Sequence, residues 1–159
     1  MLRRTGRLGA CALISLAFTP AAQAAPGFGF SQSGASFDVT TLSTAAPNVI
    51  RTVTVTCPKK GKLWANATGR VTFDVTSNQF AGTVVYALSR NSTAMQADFQ
   101  QNLFGRFVDN FANIPVAIQR VDTCNSGANV TYRLLATRGT FSANVKFWKP
   151  ALVVSFQAD

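Results

Sequence analysis

The chain has 159 residues, 47% hydrophobic and 13% charged, with 15 Lys+Arg against 6 Asp+Glu and a formal net charge of +9. That balance excludes a disordered chain and a coiled coil. There is no His, and every acid is an Asp (Asp38, Asp74, Asp98, Asp109, Asp122 and Asp159), so His-based triads, His-ligated zinc and imidazole proton shuttles are excluded as well.

The first elements in chain order form an address. Arg3, Arg4 and Arg7 precede the apolar run Ala10–Phe18, and Ala22-Gln23-Ala24 places small residues where a signal peptidase cuts. A basic stretch, an apolar stretch and A-x-A predict a secretory signal peptide over residues 1–24. The apolar run is short of the roughly 18 residues that a membrane span needs. Export to the periplasm or the outside of a bacterial cell is the expectation, and no later segment reads as a transmembrane helix. Loss of the leader would remove three arginines and Cys11, leaving twelve basic side chains against six acids, a net +6. Two cysteines then remain, Cys57 and Cys124, and in an oxidising compartment they are expected to pair.

Residues 25–36, rich in Gly, Ser and Ala, read as a flexible lead-in. From residue 37 to 159 the pattern has period two and predicts one domain. Val53, Val55 and Cys57 alternate with Thr54 and Thr56, and Val71, Phe73 and Val75 with Thr72, Asp74 and Thr76. Val84, Tyr86 and Leu88 repeat the alternation, as do Val130, Tyr132, Leu134 and Ala136. Val145 and Phe147, then Leu152, Val154 and Phe156, suggest the closing strands. Turn signals fall at residues 46–48, 58–61, 68–69, 77–78, 125–127 and 138–139. These features predict a mainly β fold, an antiparallel β-sandwich or jelly roll. One segment differs: Met95, Phe99, Leu103, Phe107 and Phe111 recur every four residues after a Thr93-x-x-Gln96 capping pattern. It predicts an amphipathic helix over about 94–111, ended by Pro115, with its aromatic stripe packed on the sheet.

Few residues suggest chemistry. Lys59, Lys60 and Lys62 crowd the turn before Trp64, a pattern that suits phosphate, an acidic glycan or anionic lipid, or simply a solvated hairpin. Trp148 lies between lysines, and alternation turns it away from Phe147, as stacking on a sugar ring would require. Those five side chains are the candidate ligand-binding residues. A glycosidase would need two carboxyls flanking the scissile bond, for example Asp74 and Asp122. No nucleophile elbow, P-loop or dinucleotide fingerprint occurs, and Asp122 with Asn125 lacks the alternating carboxylates of a calcium loop. No catalytic residue, cofactor or metal ligand is assigned, and double-stranded nucleic acid is not an expected partner.

Val55-Thr56-Cys57-Pro58-Lys59-Lys60-Gly61 resembles the Cys-Pro-x-x-Gly turn of the complement-globular-head and tumour-necrosis-factor-like jelly rolls. Lys62-Leu63 stands where that family carries an aromatic pair. The resemblance implies a trimeric, non-catalytic recognition module. The missing catalytic inventory, together with a well-patterned core, makes the expected function an exported, disulfide-linked, non-catalytic binding or structural module. The alternatives are a carbohydrate- or acidic-glycan-binding protein and an Asp-dependent hydrolase.

Overall fold

A computed structural model describes residues 27–38, 46–74, 80–106, 111–139 and 144–159. Nine strands occupy them: β1 (Phe28–Gln32), β2 (Ser36–Asp38), β3 (Asn48–Thr56), β4 (Gly61–Asp74), β5 (Phe80–Arg90), β6 (Gln100–Arg106), β7 (Phe111–Cys124), β8 (Asn129–Arg138) and β9 (Asn144–Ala158). The first sheet runs β1-β9-β4-β7, with β2 on the same side of β9 further along the strand. The second runs β3-β8-β5-β6, and among the described residues every strand pair is antiparallel. From β2 onward each connection changes sheet except β5 to β6, the winding of a jelly roll.

Alternation decides which side of each strand meets the other sheet. Val53 and Val55, Val84, Tyr86 and Leu88, and Val130, Tyr132, Leu134 and Ala136 are buried on the second sheet. Leu63, Ala65, Ala67 and Val71, with Val116, Ile118, Phe147, Leu152 and Val154, face them from the first. Tyr86 and Phe147 meet edge to face across this core, with centroids 4.7 Å apart. Cys57, just past β3, and Cys124, the last residue of β7, form a disulfide with Cα atoms 6.4 Å apart, tying the two sheets at one end.

Several local expectations give way. The segment expected to form a helix over 94–111 instead holds a 3-10 turn at Ala97–Phe99, then β6 paired to β5; residues 107–110 lie outside the described residues. A spacing of four is a multiple of the strand period as well as near the helical one, so that recurrence could not separate the two. Gln96 does not close a capping box; its Oε1 accepts from the backbone N–H of Arg90 and from Arg120. Pro115 sits inside β7 and is tolerated there because β7 is the edge of its sheet.

In the stretch expected to be a flexible lead-in, residues 28–32 form β1 against β9. Gly29 serves close approach: a Cβ there would overlap Val53 Cγ1 and stand 2.9 Å from Val55 Cγ1. Thr68-Gly69, read as a turn, lies within β4, and Phe147 explains it. A Cβ there would overlap that ring, with Cζ at 2.6 Å. The expected leader, residues 1–24, and the turn at 77–78 lie outside the described residues.

Candidate functional site

The densest polar cluster belongs to the inward stripe of β7, where Arg120 and Asp122 continue the row of Val116, Ile118 and Cys124. Arg120 grips Asp122 with two hydrogen bonds, Nε to Oδ2 at 2.6 Å and Nη2 to Oδ1 at 3.0 Å. Its Nη1 donates to the Leu88 carbonyl at 3.3 Å and to Gln96 Oε1, and its guanidinium lies 4.2 Å from the Phe99 ring centroid. Tyr132 donates its hydroxyl to Asp122 Oδ2 at 2.8 Å, and Arg90 lies 3.5 Å from Oδ1. The cluster therefore bolts β7 to β5, β8 and the 3-10 turn.

Its electrostatics oppose acid catalysis. Burial alone would raise the Asp122 pKa, but hydrogen bonds from Arg120 and Tyr132 and the charges of Arg120 and Arg90 outweigh it, so the carboxyl is held below its ordinary 3.8. A glycosidase acid needs the opposite shift. Tyr132 is pushed up, first by burial and then by its bond to the Asp122 carboxylate. Asp74 cannot partner Asp122. Asp122 pairs with Leu63 near the start of β4 and Asp74 ends that strand, so their backbones lie about 35 Å apart along it, against the roughly 5–9.5 Å that glycoside hydrolysis requires. Among the described residues, no group of three or more Cys and Asp side chains is placed to hold a metal ion.

The outer face of the first sheet is different. Cross-strand register arranges it in rows from β1 through β9 and β4 to β7: Phe28, Ser155, Trp64 and Val121, then Phe30, Val153, Asn66 and Gln119, then Gln32, Ala151, Thr68 and Ala117. Phe28, Phe30 and Val121 are exposed to 49%, 55% and 40%. Beyond them the pairing of β4 with β9 slips between Thr68 and Arg70, since only Gly69 stands opposite Lys149 and Pro150. After this bulge the rows turn cationic, with Trp148 beside Arg70 and Lys146 beside Thr72.

The five candidate ligand-binding residues fall at two places. Lys59 and Lys60 are exposed on the β3–β4 turn at the disulfide end, and Lys62 and Trp64 follow on the outward side of β4. Trp64 is half-buried and donates Nε1–H to Gln157 Oε1 at 3.1 Å. Trp148 pairs with Arg70, six residues further along β4 than Trp64, or about 20 Å away. Its Nε1–H donates to the Thr72 hydroxyl at 2.9 Å, which fixes the partly exposed indole in the sheet plane's outer layer.

Two shallow depressions open among the described residues of this face. One, about 340 Å³, lies over Asn66, Thr68, Ala117 and Gln119; the other, about 260 Å³, is lined by Gly69, Arg70, Trp148 and Lys149. Arg70, Gly69 and Lys149 were not singled out from sequence. A readable signal was present, because the buried residues of β9 change from odd numbers (Val145, Phe147) to even ones (Leu152, Val154), as one inserted residue demands.

No family model and no curated protein matches the chain. Among solved structures, the chain is similar to one described as "Structure of Eiger TNF from S. frugiperda", at 11% identity over 82% of this chain and 87% of that one, with a TM-score of 0.32.

Proposed function

We propose that this chain is an exported, non-catalytic binding module that recognises carbohydrate through the outer face of its first sheet. The observation that carries the reading is the company of Trp148: an outward indole pinned by Thr72, beside two cations, at the rim of a depression. Stacking of a sugar ring on an indole needs an aromatic surface held still and facing water. Export rests on the leader pattern, and a disulfide between the two sheets fits an oxidising compartment. Among the described residues no helix is long and apolar enough to cross a membrane. Titration of the purified protein with a panel of neutral and acidic glycans, followed by tryptophan fluorescence, tests the reading. A shift that Trp148→Ala removes supports it, and a silent panel refutes it.

A second reading, self-association into the trimer that the sequence resemblance implies, has its own support in Phe28 and Phe30, two neighbouring exposed aromatics on the outward side of edge strand β1. Light scattering decides it: a monomer at all concentrations removes the reading, and a trimer lost on Phe30→Ser sustains it.

A further inference from the structure

We infer that the depression at the β9 bulge is a subsite for a sugar ring carrying an anionic group, with Trp148 under the ring and Arg70 and Lys149 on the charge. The inference rests on the carbohydrate reading above and adds the ligand's charge and the residues that select it.

Three independent features build the site. The first is the hollow itself. Gly69 is the one position in this part of β4 where a side chain is impossible, because the fully buried Phe147 ring fills the space its Cβ would take. On the opposite, outer side of the same backbone the depression opens beside the indole, lined by Gly69, Arg70, Trp148 and Lys149. The second is backbone strain. Lys149 holds φ at +47°, in the left-handed region that residues other than Gly, Asn and Asp rarely visit, and it precedes Pro150. The buried Pro150 keeps this geometry in place: its carbonyl accepts from the Ser33 N–H at 3.2 Å and from Arg51 Nε at 3.3 Å. Strained positions of this kind cluster at ligand sites, and a bulge re-aims the side chains around it.

The third feature is uncommitted charge. Arg70 and Lys149 are both exposed, and neither forms an ion pair with a described residue. In the same chain, Arg90 and Arg120 are both spent on Asp122. A guanidinium and an ammonium flanking a fixed indole match a ligand with an apolar ring face and a carboxylate or sulfate at its edge. The volume of about 260 Å³ lies just below the roughly 300–1,000 Å³ of pockets that enclose drug-sized ligands, which suits one ring rather than an oligomer.

The test uses a Trp64→Phe background, in which Trp148 is the chain's single tryptophan. Three polymers are titrated at about 0.15 M salt, where long-range attraction is screened: polygalacturonate, its fully methyl-esterified form and dextran sulfate. The expected result is at least tenfold tighter binding of polygalacturonate than of its ester, with the preference lost in Arg70→Gln and in Lys149→Gly. The glycine variant removes the charge while suiting the backbone angle, so folding is preserved. Dextran sulfate binding that also fails in both variants extends the site to sulfate esters. Equal affinity for acid and ester overturns the charge assignment and leaves the carbohydrate reading intact. Binding of both polyanions unchanged by either substitution overturns the inference in favour of diffuse attraction to a basic chain. Silence toward all three polymers overturns it too, and the wider glycan panel then judges the parent reading separately.

Discussion

Replacing Arg120 by Ala is the sharpest test of how the sandwich is held at its open edge. The side chains of Arg120 and Asp122 are only 10% and 11% exposed, so the substitution strands a desolvated carboxylate. Removing one partner of a buried pair costs about 3–5 kcal/mol. Here Tyr132 still donates at 2.8 Å and Arg90 remains 3.5 Å away, which places the loss near the lower end, about 3 kcal/mol. At a urea slope of about 1.5–2 kcal/mol/M that lowers the unfolding midpoint by about 1.5–2 M. The assay is urea denaturation followed by circular dichroism with the disulfide intact. Adding Asp122→Ala removes the stranded charge, so the double variant should lose less than the two singles summed, by about 1–3 kcal/mol. The acid limb gives a second reading. The folded Asp122 pKa is depressed below 3.8, so its stabilisation is complete above that value and disappears as pH falls through the folded one. In Arg120→Ala the depression shrinks and acid unfolding begins at higher pH. A single variant within about 0.5 kcal/mol of wild type, or strict additivity in the double, would refute the reasoning.

Other perturbations probe separate parts of the molecule. Cys57→Ser with Cys124→Ser, or reduction, opens a 67-residue loop and should cost about 4 kcal/mol on chain entropy; an unchanged thermal midpoint in reductant contradicts this. Gly69→Ala drives a methyl into the Phe147 ring and should destabilise by about 1–3 kcal/mol, measured by the same urea assay, whereas a neutral effect would mean that the ring can yield. Tyr86 buries a hydroxyl with no partner among the described residues, so Tyr86→Phe should gain about 1 kcal/mol, and a loss of stability would reveal a bond to that oxygen. Burial raises both Tyr86 and Tyr132 above the usual 10.0, so the folded state keeps protons that the unfolded chain releases there. Stability should therefore fall as pH climbs beyond about 10, and a flat alkaline limb in a pH series of urea midpoints would count against it.

Much of the architecture was written in local pattern, because one buried face imposes a two-residue period that survives in the sequence. The stripes of β3, β5, β8 and β9 were legible for that reason, and the pairing of Cys57 with Cys124 followed from the expected export and the cysteine count. Periodicity failed where two structures share it: a spacing of four between Met95, Phe99 and Leu103 fits a helix and a strand alike, and only the free edge of β5 decided for β6. Composition failed at the glycines, since Gly29 and Gly69 look like flexible punctuation until Val53 and Phe147 are seen occupying the space of their side chains.

The candidate site divides along the same line. Trp148 was readable as an outward aromatic from its alternation with Phe147. Arg70 and Lys149 were not, because one lies on β4 and the other on β9, and no sequence rule sets the register between residues 79 positions apart. By itself the sequence determined the layers, the buried faces and the sulfur link, all of which follow from hydrophobic alternation and residue counts. Only the tertiary structure decided where two strands slip past one another, and with that slip which charges stand beside the indole.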